Sequence, residues 1–343
     1  MSEEGTILLQ FDYKNDFSGV LYVTKDKECI LEKAYGYAEK GLKVRNFVLT
    51  RFGVASGGKL FTAVGILKLA EKGNLNLSDE ILKYIPELPE SFKGVTLHHL
   101  LTHTSGIGDY FDEYAQESYS SLWDAIPMYK MENPIDFLPM ILNKDKIFNP
   151  GEKFRYNNAG YILLGLAIER VSGLSYKDYI KNSIFNPCKM SDSGYFKMNM
   201  LPPRTAYGYI KLEDGNFRNN IYDLPIIGGP DGGVYVTAVD MAKFWQELLT
   251  FELLSEDFTK ELFKIHTDTD NEGIGFGYGI WIEHKNYEVK KYFLQGYDPG
   301  VNFRMVYYLE TDVLVLALSN EDTGAKEACE AIEKTLIEEF QAV

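Results

Sequence analysis

Ser56-Gly57-Gly58-Lys59 places a hydroxyl and an amine three residues apart, directly after the β-prone run Val48 to Val54. On a helix, residues three apart lie one above the other, about one 5.4 Å turn along. The Lys59 amine can therefore reach the Ser56 hydroxyl. A free hydroxyl is a poor nucleophile until a neighbour takes its proton. A lysine can do this only if desolvation or a positive neighbour lowers its pKa from about 10.4. The free N–H groups and partial positive charge of a helix start also favour an oxyanion forming beside the serine. Two fixed residues at this spacing arise by chance about once in a chain this long, so the motif alone does not specify a site.

Tyr156-Asn157-Asn158, which follows Pro150-Gly151, supplies complementary chemistry. A buried phenol beside a lysine can share the proton of an attacking hydroxyl and later protonate a leaving group. Asn158 offers a donor and an acceptor to an ester or amide carbonyl. The same Y-x-N spacing recurs at Tyr13-Lys14-Asn15, so again the pattern needs context.

Other constellations compete. Gly53 to Lys59 reads G-x-x-x-x-G-K, but Leu60 stands where a phosphate-binding loop needs a Ser or Thr oxygen for Mg²⁺. His98, His99 and His103 cluster without the glutamate of H-E-x-x-H or a clear third ligand, so structural hydrogen bonding is expected and no metal. His266 and His284 are isolated. A Ser-His-Asp triad stays open, although no G-x-S-x-G surrounds Ser56. Gly273, Gly275, Gly277 and Gly279 alternate with no helix pattern after them, which fits close backbone approach at a strand rather than dinucleotide binding.

The elements that must position these groups follow from periodicity. Gly19 to Thr24 and Ile30 to Tyr35 read as a hairpin around Lys25-Asp26-Lys27. Leu60, Phe61, Val64, Leu67 and Leu69 fall at helical spacing, with Gly73 as the stop. A mostly helical middle follows: Ile81–Tyr84, Leu97–Thr102, Ile135–Asn143, Tyr161–Val171 and Tyr176–Asn182. Thr237 with Asp240 starts a helix over Met241–Leu249. Strands return at Gly279–Glu283, Tyr287–Phe293, Asn302–Leu309 and Val313–Ser319, the last two joined by Glu310-Thr311-Asp312. Ala325–Phe340 closes the chain as a helix with Cys329, Ile332, Leu336 and Phe340 on one face. Close hairpins demand antiparallel pairing. The expected fold is α+β: an antiparallel sheet flanked by helices, built from residues 1–70 and 226–343, with a mostly helical unit, 71–225, inserted and a cleft between them.

The chain has 343 residues, 35 Lys plus Arg against 50 Asp plus Glu, and a net charge of −15. A surface that acidic repels phosphate backbones, which argues against nucleic acid and anionic membranes as partners. No apolar run reaches the length of a membrane span. The acidic start, Met1 to Gly5, lacks a secretory pattern, and Cys29, Cys188 and Cys329 form no C-x-x-C, so reduced thiols in a cytoplasm are expected. Oligomeric state is not readable.

Taken together the motifs resemble the serine β-lactamase and penicillin-binding-protein-like hydrolases, in the β-lactamase-related branch with class C enzymes, D-peptidases and esterases. Phe52 to Lys59 looks like the family's nucleophile segment, and His99-Leu100-Leu101-Thr102-His103-Thr104-Ser105-Gly106 like a second signature. Asn149-Pro150-Gly151 through Tyr161 and Gly232-Gly233 through Asp240 resemble two further blocks, in order, over about residues 17–340. The resemblance implies Ser56 as acylated nucleophile, Lys59 and Tyr156 as proton managers, and Asn158 as substrate-orienting. The third motif, usually K-T-G or H-x-G on an edge strand, corresponds to Leu294-Gln295-Gly296. It implies an oxyanion hole from the N–H groups of Ser56 and Tyr297, beside Gly296. Leu294 replaces the basic residue, which disfavours carboxylate-bearing β-lactam and D-peptide substrates unless another cation, such as Arg304, substitutes.

The expected function is thus a serine hydrolase of small esters, amides or lactams, esterase-like by preference and needing no cofactor. A catalytically weak or inactive ligand-binding or sensing protein on the same scaffold is one alternative, and residual β-lactamase or D-peptidase activity is another. Aromatic-rich loops such as Tyr110–Tyr119 would line the cleft.

Overall fold

A computed structural model describes residues 11–13, 16–114, 119–124 and 126–341. The readings at Met1 to Gly5, at Lys14-Asn15, within the middle of Tyr110–Tyr119 and at the Phe340 side chain lie outside the described residues.

The centre of the molecule is an eight-stranded antiparallel sheet. Its strands are β1 (Gly19–Lys25), β2 (Glu28–Tyr35), β3 (Thr267–Asp268), β4 (Ile274–Phe276), β5 (Trp281–Lys285), β6 (Glu288–Asp298), β7 (Val301–Tyr308) and β8 (Val313–Ser319). They lie in the order β2-β1-β8-β7-β6-β5-β4-β3, so the two ends of the chain meet where β1 pairs with β8. The β1–β2 turn puts Asp26 and Lys27 at φ 49° and 71°, the left-handed pair that matches the twist of a tight hairpin.

Alternation along the strands sorts two cores. Leu21, Val23, Val313, Val315 and Ala317 face the terminal helix α8 (Ala325–Gln341) through Ala328, Cys329 and Ile332. Val20, Leu294, Phe303, Met305, Leu314, Leu316 and Leu318 join the larger core beneath the remaining helices. β8 is buried on both faces and accordingly reads as an unbroken apolar run.

In chain order the other helices are α1 (Lys59–Glu71), α2 (Leu97–Leu101), α3 (Leu138–Leu142), α4 (Asn158–Ser172), α5 (Tyr176–Ile180), α6 (Ala238–Leu249) and α7 (Glu256–Leu262). α1 is buried nearly all round, as expected of a helix apolar on every face. Gly73, at φ 70° just past its end, supplies the left-handed stop. Thr237 caps α6 by accepting the Asp240 N–H at 3.1 Å, while the buried Asp240 carboxylate accepts from Asp192 N–H and the Ser193 hydroxyl instead of completing a capping box.

Two expectations need correction. The run Val48 to Val54 yields only a short strand, Phe52–Gly53, paired with Tyr235–Val236. Leu294-Gln295-Gly296 does not sit on an edge strand: β6 is internal, between β5 and β7. However, β5 pairs with β6 only through Phe293, which leaves the Leu294–Asp298 half open on that side, facing the nucleophile segment. Among the described residues no helix is long and apolar enough to cross a membrane. Cys29, Cys188 and Cys329 are free thiols, the latter two buried.

Candidate active site

Ser56 lies in a 3-10 turn, Ala55–Gly58, that runs directly into α1 at Lys59. Ala55, immediately before it, adopts φ 45°. A residue with a Cβ seldom occupies that region, and the strain costs about 1–3 kcal/mol. Such strain persists only where the surroundings fix the backbone, and here the chain is held from both sides. Gly233 N donates to the Ala55 carbonyl at 3.3 Å. From the sheet, β6 presses against the turn so closely that a Cβ on Gly296 would stand 2.1 Å from Val54 O. Only glycine permits this approach, and it brings the next residue, Tyr297, alongside Ser56 on the cleft wall.

Lys59 is almost wholly buried, 2% exposed. Its Nζ donates to Ser56 Oγ at 2.9 Å, to Asn158 Oδ1 at 2.7 Å and to the Asp231 carbonyl at 2.6 Å. Burial lowers its pKa, and the carboxylates of Asp231, Glu113, Asp109 and Asp298 pull the other way.

Tyr156 comes from the loop before α4. Its phenol interacts with the Ser56 side chain, and its ring centroid lies 4.9 Å from Lys59 Nζ. Burial, with Glu113 adding to it, raises the phenol pKa well above the ordinary value. The ring is clamped between His103, centroids 4.3 Å apart, and Trp281, stacked at 6.0 Å. His103 is buried and its Nδ1 accepts the Asn157 N–H at 3.1 Å, which leaves the proton of the neutral ring on Nε2. Burial and the nearby Lys59 hold its pKa well below normal, so it stays neutral. His98 Nδ1 pairs with the Tyr278 hydroxyl at 2.8 Å, and His99 Nδ1 accepts the Thr96 N–H as part of the cap of α2. These three histidines hold structure.

Asn158 is the first residue of α4, whose cap is the Asn157 side chain accepting the Gly160 N–H at 2.7 Å. Buried Asp109 reinforces that start by accepting the N–H groups of Asn158 (2.5 Å) and Ala159 (2.9 Å). The Asn158 amide then spans the site, taking Lys59 on its oxygen and donating to Glu113 Oε1 at 3.2 Å. Burial pushes the Asp109 carboxyl up to about 7, against the pull of those helix N–H groups.

Leu294 is 2% exposed and belongs to the sheet's inner core, so it neither reaches the cleft nor leaves a gap there. Gln295 faces the opposite side and accepts from Arg304 Nη1 at 2.8 Å, with the guanidinium 4.1 Å above the Phe293 ring. Arg304 therefore engages the third motif through Gln295 rather than in place of Leu294.

The cleft has two lobes that share Ser56, Glu113 and Tyr297. One, of about 280 Å³, is walled by Tyr114, Tyr156, Trp281, Gln295 and Gly296. The other, of about 250 Å³, includes Asn158, Tyr110, Tyr119, Tyr235, Asp231 and Asp298. One Asp231 carboxylate oxygen accepts the Tyr110 hydroxyl, and burial raises its pKa. Burial and then the neighbouring Asp231 push Asp298 up to about 8. Among the described residues no cluster of three or more His, Cys, Asp or Glu side chains is placed to share a metal ion.

The structure thus gathers Ser56, Lys59, Tyr156, Asn158, Gly296 and Tyr297 at one cleft. Sequence reasoning missed Asp109, Glu113, Asp231 and Asp298. Only Asp231 carried a signal, as a lone charge inside the glycine-rich run Gly228 to Gly233.

Residues 10–338 match the Beta-lactamase family. A penicillin-binding protein of Bacillus subtilis (strain 168) is 31% identical over 334 residues, covering 92% of this chain and 71% of the relative. The crystal structure of a penicillin binding protein from Bacillus halodurans is 41% identical, with a TM-score of 0.90 over 97% of this chain and 99% of that one. A D-amino acid amidase from Ochrobactrum anthropi SV3 shares the fold at 22% identity, with a TM-score of 0.78 over 95% of each chain. With a family match over nearly its whole length, and with relatives of these names, the chain belongs to the beta-lactamase family.

Proposed function

We propose that the protein is a serine hydrolase that acts on small esters or amides through an acyl-enzyme at Ser56. The observation that carries this reading is the buried Lys59 amine 2.9 Å from Ser56 Oγ. The three N–H bonds of Lys59 suit an ammonium at rest. When the amine is neutral it keeps its bonds to Asn158 and the Asp231 carbonyl, and its lone pair faces Ser56, whose O–H then donates. One proton reverses one hydrogen bond and activates the nucleophile.

The opposed shifts of the two titratable groups support a division of roles. Lys59, lowered, is the base. Tyr156, raised, stays a neutral phenol that relays a proton to the leaving group. Ser56 Oγ bonds to the acyl carbon as its proton passes to Lys59. The N–H groups of Ser56 and Tyr297 hold the oxyanion, a donor of this kind being worth about 3–4 kcal/mol. The leaving group departs with a proton through Tyr156. Water then attacks the acyl carbon, the Oγ–C bond breaks, and Ser56 regains its proton. Asn158 orients the acyl carbonyl's neighbour groups. Residues from both expected units contribute: Ser56 and Lys59 from 1–70, Tyr156 and Asn158 from 71–225, and Gly296 and Tyr297 from 226–343, with the cleft at their junction.

With Leu294 in the core, the third motif offers the substrate no cation, which favours an esterase-like or amidase reaction over one that reads a carboxylate. Intact-protein mass spectrometry with a fluorophosphonate tests the reading. The wild type gains one adduct at Ser56, and Ser56→Ala gains none. Ligand binding by a protein that never forms an adduct would instead support the sensing alternative.

A further inference from the structure

We propose that Gln295 selects substrates whose leaving half carries a neutral hydrogen-bond acceptor, an amide carbonyl being the simplest, and that Arg304 is the positioning residue that aims the Gln295 amide at it. This rests on the acyl-transfer reading above and adds the chemistry of the leaving half.

The two lobes have different duties. A general acid must reach the leaving group, so the departing half enters the lobe walled by Tyr156, Trp281 and Gln295. Gln295 and Arg304 stand directly opposite each other on β6 and β7. Arg304 is held by a column of rings. Its guanidinium lies 4.1 Å above Phe293, Phe293 stacks on Trp281 at 6.1 Å, and Trp281 stacks on Tyr156. A guanidinium has donors only, so the amide atom 2.8 Å from Nη1 has to be the oxygen, Oε1. This settles the orientation that an amide otherwise leaves open. The Nε2 end is thereby turned away from Arg304, and no acceptor among the described residues receives either of its N–H groups.

The rest of that lobe decides what the amide can read. Leu294 is in the core, so Gln295 is the polar side chain that the third motif presents to the cleft. No lysine or arginine is among the described residues lining this lobe, and Glu113 is the only carboxylate among them. A leaving half that ends in a carboxylate therefore meets a like charge and no cation. One that ends in an ammonium leaves the Gln295 N–H groups unpaired. A carbonyl oxygen accepts from Nε2 with neither conflict. The rings of Tyr114, Trp281 and Tyr297 line the same lobe and suit a flat amide group.

The test uses three esters with the same acyl half: carbamoylmethyl acetate, isobutyl acetate, in which a branched alkyl group replaces the amide, and carboxymethyl acetate. Acid release gives kcat/KM for each in the wild type, Gln295→Met, Arg304→Met and Arg304→Lys. The three alcohols differ in intrinsic leaving ability, equally in every variant. The reading is therefore the carbamoylmethyl-to-isobutyl ratio in the wild type divided by that ratio in the variant. Gln295→Met, which keeps the length and removes the N–H groups, should lower the ratio at least about fivefold, the scale of one neutral hydrogen bond. Arg304→Met lets the amide turn over, so that only part of the population presents Nε2, and should lower the ratio about twofold, in KM rather than kcat. Arg304→Lys restores a donor to Oε1 and should recover it, whereas a merely structural role would slow all the esters alike. An unchanged ratio in Gln295→Met overturns the proposal. So does a carboxymethyl-to-isobutyl ratio that falls further than the carbamoylmethyl one, because the lobe would then read charge. An undiminished ratio in Arg304→Met overturns the positioning role. Fluorophosphonate labelling of the same preparations separates the failures. A labelled Ser56 with a ratio indifferent to Gln295, or with no ester turned over, sinks the leaving-half selectivity alone, whereas an unlabelled Ser56 sinks the hydrolase reading and this proposal with it.

Discussion

Lys59 Nζ and Ser56 Oγ stand 2.9 Å apart, with the lysine nearly sealed from solvent. What distinguishes this amine from a surface lysine is that burial lowers its pKa and that it can lose a proton without leaving a hydrogen-bond donor stranded. Replacement by Met should therefore keep the fold and lower kcat/KM by about ten-thousand-fold, the scale seen when one member of a nucleophile–base unit is removed. Lys59→Arg should fare no better, because guanidinium does not release its proton in this range. Steady-state kinetics on a p-nitrophenyl ester checks both, and a variant with arginine at wild-type activity would exclude Lys59 as the base.

Because burial lowers the Lys59 pKa, the neutral amine is populated at a lower pH than in an ordinary lysine. The kcat/KM profile should therefore rise with pH along a single limb whose midpoint lies below about 10.4, the free lysine value. A limb at or above that value would mean that a different group controls the proton.

Tyr156 and the leaving group are coupled through a proton, so the cost of Tyr156→Phe should depend on how much the leaving group needs one. A nitrophenolate departs unaided and should slow by no more than about tenfold. An alkyl amide should slow by about a hundredfold or more. Equal losses on the two substrates would assign the tyrosine to positioning alone.

One buried and one half-buried carboxyl make stability depend on pH in a calculable direction. Asp109 and Asp298 have pKa values raised by burial, to about 7 and about 8 in the folded protein. Both should return to about 3.9 when unfolded. Between about pH 4 and 8 the folded state binds more protons than the unfolded one, so stability falls as pH rises through that window. Thermal melts should show a lower Tm at pH 8 than at pH 5. Asp298→Asn should raise Tm at pH 8 by a few degrees, roughly the effect of 1 kcal/mol in a chain of this size, and change it little at pH 5. A variant that melts lower at pH 8 would show that the carboxylate is satisfied in a way the structure does not display.

Gly296→Ala tests the contact between β6 and the nucleophile turn. A methyl 2.1 Å from Val54 O has to be accommodated by displacement, at about 1–3 kcal/mol of overpacking. A shift of about 1 Å at Ser56 costs on the order of a hundredfold in rate. Activity should thus fall further than stability. Unaltered kcat on an activated ester would show that the turn and the strand are not rigidly coupled.

Local periodicity made much of this legible. The β1–β2 hairpin, α1 with its Gly73 stop, and the β7–β8 hairpin follow from residues close in sequence, and the Ser56–Lys59 pairing follows from one helical turn. The family blocks supplied Tyr156 and Asn158, which no spacing rule ties to Ser56. What stayed hidden depends on tertiary approach. Asp231, in a loop, and Asp298, at the end of β6, are ordinary acids until the fold turns both into one cavity, and Asp109 is informative only once it sits on the start of α4. The third motif was misplaced for a related reason. Pattern alone ended the strand at Phe293, where pairing with β5 stops, whereas β6 continues to Asp298 on the strength of β7 alone.

The glycine at 296 also bears on how the molecule comes together. Side chains alternate along a strand, so sliding β6 by one residue would bring Gln295 or Tyr297 against Val54 O, where neither can fit. Alignment of the sheet and seating of the reactive serine are consequently one event. A misaligned chain cannot dock its strand on the turn, and any molecule that displays a finished cleft has already passed that check.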